Sequence, residues 1–350
     1  MKTSYGFSLV EILVGLTLGV ILSAAVIAIY ISEKNTYKTS TSQASIQNAE
    51  SAIAALVTPT IRGAGFSGCT TLLMALSNLN PGGPPPLGTL GTTPSMVNGY
   101  GSAAASPVTI TENTANSAIV TNWTPSLDAS LSGRVEAVSD VVVVLGAVPG
   151  TQPIGVTAAT AGSNAITLQN TTGLTTGLFG SISDCSKTSV IAITGIAGTT
   201  VTHAASAGIL NNTNDTLLVN FQTGSVFVPL SQTAFYVAND PGGQSTLTKA
   251  TLNANGTWTS QSLVPGVEIM KVLYGIGSNN ALTNYVSASA VTNWNQVYAI
   301  RLGFLLEGQP GSGDGRTTQF TVLGTTVKVP TDTRLRHVFE ITIELRNSTS

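Results

Sequence analysis

Charged residues are scarce in this chain of 350 residues. It contains 14 Lys and Arg and 16 Asp and Glu, together 9% of the sequence, whereas an ordinary soluble domain is about 25% charged. With a formal net charge of −2, the chain offers no basic surface for a nucleic acid. Disorder is not favoured either, because it combines low hydrophobicity with high net charge. Gly, Ser, Thr, Asn and Ala predominate instead, which is typical of an extracytoplasmic β-rich protein.

Residues that carry catalysis or bind metals are also few. The two histidines, His203 and His337, lie in a Thr/Ala/Ser-rich loop and on a terminal strand, so surface or satisfied side chains are favoured over bases or ligands. Residues 311–315 are rich in glycine but lead into a β-type run, which favours a hairpin turn over a phosphate loop. Residues 211–215 lack the acidic density of a calcium loop. We expect no enzyme activity, no cofactor and no metal.

One long stretch, residues 12–31, contains no charge at all. As a helix it would span about 30 Å, the thickness of the hydrocarbon core of a bilayer. Lys2 is the only charged residue before Glu11, which favours a cytoplasmic N-terminus. A cleaved signal peptide is the competing interpretation, since residues 22–25 imitate a signal-peptidase site. The run nevertheless exceeds the usual apolar region of about 7–15 residues.

The segment GFSLVE at residues 6–11 resembles the N-terminus of type IV prepilins and pseudopilins. The resemblance implies that residues 1–6 are a leader and that prepilin peptidase cuts between Gly6 and Phe7 and then methylates the Phe7 amine. It also implies that Glu11 sets register during assembly by pairing with the Phe7 amine of a neighbouring subunit. An ionisable group at a membrane edge is a functional candidate; the alternative is a solvated carboxylate without a partner.

Three small residues, Gly15, Gly19 and Ser23, recur at every fourth position of the apolar run. Such a stripe permits two helices to approach closely in lipid. Glycine is common in membrane helices in any case, so a packing face and a chance pattern both remain open.

The helix is predicted in two parts, a transmembrane and assembly segment over residues 7–31 and an amphipathic continuation over residues 32–62. Apolar residues between 46 and 57 follow the spacing of three to four that marks one helix face. Because the residue before a proline resists the α conformation, we expect an end or a kink near Thr58, just before Pro59.

Four further segments resemble PilW-type minor pilins. Residues 62–69, RGAGFSGC, resemble a family hallmark, with Phe66 in place of the commoner tyrosine. Residues 263–275, 294–306 and 334–347 resemble three C-terminal segments of the same family. Residues from about 75 to 260 resemble no segment of it and are interpreted as a possible insertion.

The chain contains two cysteines, Cys69 and Cys185. A domain that faces an oxidising periplasm favours a disulfide between them. A metal pair is the alternative, but it lacks histidines nearby.

The fold class is predicted as α+β, with a β-rich and mainly antiparallel pilin-like domain over residues 63–350, because many short β-type runs alternate with turn signals. The run at residues 141–145 has no polar alternation and predicts a buried central strand. Residues 339–345 alternate in polarity and predict a strand with one buried face.

Three arginines flank that last strand, namely Arg334, Arg336 and Arg346. Cross-strand pairing with Glu340 or Glu344 is favoured over a patch that binds a partner.

The resemblance implies a minor pilin that primes type IV pilus assembly and sits at or near the pilus tip. Expected partners are other minor pilins, the major pilin, the assembly machinery, prepilin peptidase and the inner membrane, with a large tip adhesin as a further candidate. Before assembly the chain would cross the inner membrane once, with its C-terminal domain in the periplasm. The alternatives are a type II secretion pseudopilin, a tip adhesin whose middle region binds a surface ligand, and a tethered protein that never polymerises.

Overall fold

The structure is a computed structural model. It describes residues 8–68, 75–77, 95–110, 122–127, 131, 134–205, 212, 216–239, 244–253, 257–278, 281–316 and 318–348. A long helix, α1 (Leu9–Arg62), precedes a series of β-strands. The strands are β1 (Ala75–Ser77), β2 (Val97–Ser102), β3 (Val108–Thr109), β4 (Trp123–Thr124), β5 (Val141–Ala147), β6 (Ile154–Ala159), β7 (Ala165–Leu168), β8 (Phe179–Ser183), β9 (Thr188–Ala192), β10 (Gly195–Ala197), β11 (Thr200–Thr202), β12 (Val226–Asn239), β13 (Ser245–Leu252), β14 (Trp258–Pro265), β15 (Val267–Ser278), β16 (Ala281–Val286), β17 (Val297–Glu307), β18 (Gln319–Val322), β19 (Thr325–Lys328) and β20 (Arg336–Glu344).

The described strands form three sheets. The largest runs β1-β9-β8-β12-β6-β7-β11-β10, and β12 also pairs with β13, which leads to β14, and with β5, which leads to β2 and β4. A second sheet has the order β16-β15-β17-β20, and a third has the order β18-β19-β3. Pairing is antiparallel except at β1–β9 and β19–β3. The predicted α+β class is therefore confirmed.

The long strand β12 joins two parts of the largest sheet. Its first residues, from Val226 to Leu230, pair with β8 and β6, whereas its later residues pair with β5 and β13. A hydrophobic core of its own lies beside the first part and includes Ile166, Ile182, Val201 and Phe227. Part of the predicted insertion is thus a β-structure with a hydrophobic core of its own, which is joined to the main core through β12 and through Phe179 and Val190.

The main core lies between α1 and the sheets. The predicted central strand at residues 141–145 is confirmed as part of β5, which is buried between β2 and β12. Asp140, just before β5, accepts hydrogen bonds from Lys271 Nζ at 3.2 Å and from the Val272 backbone N–H at 2.9 Å. This buried ion pair ties the largest sheet to β15 of the second sheet.

The last strand, β20, has the predicted alternation. Ile343 and Leu345 are buried and Phe339 and Ile341 are half-buried, whereas Glu340, Thr342, Glu344 and Arg346 are exposed. Phe339 stacks on Phe304 of the neighbouring strand β17, with 6.2 Å between ring centroids. One face of β20 is therefore turned to the core.

The predicted helix end near Thr58 is wrong, because α1 continues through Pro59 to Arg62. The alternative, a kink at this position, stays a prediction. A proline near the end of a helix removes a single hydrogen bond. Val57 and Ile61 are almost fully buried on either side of it, so core packing holds the last turn helical. The Gly63 N–H then donates to the Pro59 carbonyl at 3.0 Å and closes the helix.

The two histidines have opposite surroundings. His337 is exposed and its Nδ1 lies 2.7 Å from Glu50 Oε1, as predicted for a satisfied surface side chain. His203 is fully buried, and neither of its ring nitrogens has a hydrogen-bond partner among the described residues. The prediction of a surface or satisfied side chain is therefore wrong for His203, whose pKa is lowered by burial.

Candidate assembly helix and its contact surfaces

The first turn of α1 is closed by a capping box between Ser8 and Glu11. The Ser8 backbone N–H donates to Glu11 Oε2 at 3.1 Å, and the Glu11 backbone N–H donates to Ser8 Oγ at 3.3 Å. The Glu11 carboxylate is thus held at the positive end of its own helix. Gly6 and Phe7 lie outside the described residues, so the predicted cleavage site and the pairing of Glu11 with a Phe7 amine stay predictions.

The first part of α1, residues 9–31, is exposed at every position. Within the described residues, α1 is the helix that is long and apolar enough to cross a membrane. A signal sequence near an N-terminus can have the same length and composition. A free apolar surface of this size needs lipid or other helices to cover it.

The predicted small-residue stripe lies on this exposed part. A Cβ atom added at Gly15 or Gly19 would meet nothing within 4 Å. The Ser23 hydroxyl donates to the Gly19 carbonyl at 2.8 Å, which leaves the serine side chain folded against its own helix. The stripe is therefore open to a neighbouring helix, and its role in packing stays a prediction.

The second part of α1 is held against the β-rich domain. Ile46, Ile53, Val57 and Ile61 are buried in the main core and share one helix face, at steps of seven, four and four. On the same part of the helix, Glu50 contacts His337 of β20. The sequence predicts the amphipathic continuation from the spacing of Ile46, Ala49, Ile53 and Val57, and the burial of Ile61 extends the same face.

A loop between β17 and β18 holds α1 at the point where the helix leaves the domain. The Gln309 backbone N–H donates to Ser42 Oγ at 3.1 Å, and the Thr39 hydroxyl donates to the Ser312 carbonyl at 2.9 Å. Ser42 is fully buried. No sequence signal predicted these contacts, because the partners lie about 270 residues apart.

Behind this loop lies a network of two arginines and three carboxylates. Arg336 donates to both carboxylate oxygens of Glu268 at 2.8 Å and to both of Asp332 at 2.6 and 2.9 Å. Arg334 Nη1 lies 3.5 Å from Glu307 Oε2. Burial alone would lower the pKa of Arg336, but the hydrogen bonds to Asp332 and Glu268 raise it. The network fixes the base of β20 beside the loop that holds α1.

Glu307 is the carboxyl group of this network whose pKa is raised. Burial, and then the negative charge of Glu268, raise its pKa from 4.5 to about 7, although Arg334 and Arg336 act in the opposite direction. A carboxyl group that shares its site with another carboxylate is expected to retain its proton in this way. The next residue, Gly308, begins the loop and its N–H donates to the Leu335 carbonyl at 2.7 Å.

The predicted pairing of the three arginines with Glu340 or Glu344 is wrong. Arg334 and Arg336 point into the network behind the loop, where buried carboxylates attract them more strongly than exposed ones do. Arg346 makes no ion pair with any residue that the structure describes.

At the other end of α1, the hallmark segment meets the C-terminus of the chain. Asn347 Nδ2 donates to the Ala64 carbonyl at 2.8 Å, and the Gly65 N–H donates to the Leu145 carbonyl at 2.8 Å. Gly65 has φ +79, and a Cβ atom there would collide with Met96. The glycine is therefore required by its backbone conformation and by close packing.

Cys69 lies outside the described residues, so the predicted disulfide with Cys185 stays a prediction. Cys185 lies in the turn between β8 and β9, with φ 68.

Residues 234–347 match the model of the PilW family, Type IV Pilus-assembly protein W. The match supports a type IV pilus-related protein. It covers about a third of the chain, from within β12 to just beyond β20, and includes all five charged residues of the network. No curated protein and no solved structure matches the chain.

The resemblance that the C-terminal segments predicted is confirmed at this coarser level, and α1 lies outside the matched range. One signal at the N-terminus was missed. Ser8-Leu9-Val10-Glu11 has the S-x-x-E spacing of a capping box, which is recognisable before an apolar run.

We predict that Glu307→Gln removes part of the pH dependence of stability. Between pH 4.5 and about 7 the folded chain keeps the Glu307 proton while the unfolded chain releases it, so the stability that this proton contributes falls as pH rises. Glutamine imitates the protonated form and should abolish a loss on the order of 1–3 kcal/mol. Chemical unfolding of the full-length protein in detergent across this range measures the difference.

Glu344→Gln is the matched control, because Glu344 is exposed on β20. Its pH profile should run parallel to that of the unmodified protein. If the Glu307→Gln profile also runs parallel, Glu307 does not titrate in this range.

Proposed function

We propose that this chain is a minor pilin that helps to prime type IV pilus assembly and sits at or near the pilus tip. One observation carries the proposal: a 54-residue helix exposes its apolar first part and embeds its second part in a β-rich domain. A subunit built in this way inserts one helix half into lipid or a fibre and presents its domain outside. The PilW match supports involvement in pilus assembly.

The proposed role is structural. Residues 1–6 act as the leader, the apolar part of α1 anchors the precursor in the inner membrane, and the β-rich domain faces the periplasm. After cleavage the same apolar surface packs against the helices of other minor pilins and of the major pilin, delivered by the assembly machinery.

Two other functions share some of these features. A type II secretion pseudopilin would use the same helix, but the family match is to a pilus assembly protein. A tip adhesin would use its middle region, and the separate hydrophobic core beside β12 shows that part of this region is folded. Adhesion and assembly are compatible in one subunit.

Processing is the first test. The mature protein should lack residues 1–6 and carry a methylated amine on Phe7, because prepilin peptidase would cut after Gly6. Intact-mass analysis and N-terminal sequencing of protein extracted from membranes measure this, and cells without prepilin peptidase provide the uncut control. Retention of Met1 in normal cells, or a cut within residues 22–25, would falsify the proposal.

The role of Glu11 is tested with two variants. Glu11→Val removes both the charge and the capping box, whereas Glu11→Gln removes only the charge, since glutamine also closes a capping box. We expect both variants to insert and to be cut, but neither to enter fibres, because each lacks the carboxylate that pairs with a neighbouring amine. Immunoblots of sheared pili and of membranes measure incorporation.

If Glu11→Gln enters fibres normally and Glu11→Val does not, the helix cap rather than the charge is what assembly requires. Normal incorporation of both variants would leave Glu11 without a role in assembly.

We further propose that Cys69 and Cys185 form a disulfide. Two contacts support it: the Ser181 hydroxyl donates to the Ser67 carbonyl at 3.0 Å, and a Cβ atom on Gly68 would lie 3.1 Å from Ser183 Cβ. These contacts bring the residue before Cys69 beside the strand that leads to Cys185. The intact mass should rise by two hydrogen atoms on reduction.

Cys185→Ser is the control for that measurement and should show no such change. Two thiols that react with a maleimide in the unreduced, denatured protein would exclude the disulfide.

A further inference from the structure

A groove of about 530 Å³ lies at the C-terminal end of α1, lined in part by Pro59, Arg62, Phe66 and Arg346. We call it the distal groove. A second groove of about 320 Å³ shares Pro59 and Phe66 and extends along Val144, Ala147 and Pro149. Phe66 therefore stands between two concave surfaces whose walls are largely apolar.

The two arginines of the distal groove are free to bind an external anion. Arg62 and Arg346 are both exposed, and neither makes an ion pair or a side-chain hydrogen bond with a residue that the structure describes. This contrasts with Arg334 and Arg336, which are engaged by carboxylates. A guanidinium group binds a carboxylate in a bidentate manner, which gives both affinity and orientation.

The hydrogen bond between the hallmark segment and the C-terminal segment does not use the exposed side chains of the distal groove. The join between the hallmark segment and the C-terminus is made by the buried Ala64 and by Asn347. Phe66, in contrast, keeps 36% of its surface exposed. An exposed aromatic side chain beside free arginines has the composition of a protein–protein contact centre.

We propose that the distal groove binds an extended acidic segment of another pilus subunit. A carboxylate of that segment lies between Arg62 and Arg346, and an apolar side chain packs on Phe66. That the partner is a pilus subunit rests on the proposed function. That the bound segment is acidic and extended is inferred from the groove itself.

Other anions fit the groove less well. Arg62 lies 31 residues after Ile31, the last residue of the apolar run, on the same helix. This is about 46 Å along the helix, so lipid phosphates at the membrane edge are out of reach. Nucleic acid affinity grows with the number of phosphates that are neutralised. Two arginines on a chain of net charge −2 supply too few contacts.

The test places a photoreactive benzoylphenylalanine at position 66 of the full-length chain in piliated cells. Mass spectrometry then sequences the crosslinked peptide. We expect a segment of another pilus subunit that contains Asp or Glu. A second probe at Leu56, which is exposed three residues before Pro59, covers the case in which the change at Phe66 disturbs folding.

Charge variants give the decisive comparison. Arg346→Glu should lower the yield of this crosslink about tenfold or more, because it replaces a charge-assisted hydrogen bond with repulsion. Arg346→Lys should give an intermediate yield, because lysine keeps the positive charge but not the bidentate geometry. Arg316→Glu is the matched control, since it makes the same charge change at an arginine that is 88% exposed outside the groove.

Several results would overturn the proposal: no crosslink from either probe, a crosslink only to lipid or nucleic acid, a partner segment without carboxylates, or a yield that Arg346→Glu leaves unchanged. The state of the N-terminus distinguishes failure of this proposal from failure of the proposed function. A chain that is cut and enters pili but gives no crosslink disproves the groove alone. If the chain is uncut and crosslinks to an acidic segment of a protein outside the pilus, the partner is not a pilus subunit. The groove would then still bind an acidic segment.

Discussion

The structure depends on the contact between the second half of α1 and the β-rich domain. A helix of 54 residues, half of it without any protein around it, keeps a defined direction only if its other half is fixed. Ile46, Ile53, Val57 and Ile61 supply this by burial in the main core, and the loop at Gln309 holds the helix where it leaves the domain. The same residues therefore fix the direction of the helix and pack the domain.

The sequence was sufficient for features that rest on local periodicity. The apolar run, the amphipathic spacing up to Val57, the uniform hydrophobicity of residues 141–145 and the alternation in β20 each predict an element that the structure contains. The helix end was mispredicted because local backbone preference at Pro59 is weaker than burial of Ile61. Burial of a neighbouring side chain in the core outweighs the local backbone propensity of a residue.

Contacts between distant segments were not accessible from the sequence. Arg336 selects Glu268 and Asp332 rather than the acids on its own strand, because the fold places those carboxylates in a buried site. His203 was misjudged for a similar reason, since a polar residue in a Thr/Ala/Ser-rich stretch gives no sign of a second core beside it. Of the candidate site, the apolar surface was predictable, whereas the loop at Ser42 and the distal groove depend on three-dimensional proximity.

The shared strand β12 has a mechanical consequence. Antiparallel ladders carry their hydrogen bonds perpendicular to the strands, so a pull along β12 loads many of these bonds in shear at the same time. Tension applied to the part of the sheet around β8 would pass along Val226–Asn239 directly into β5 and β13. The β-structure around β8 therefore shares β12 with the rest of the domain, and the hydrogen bonds of β12 would carry part of an external force that acts on it.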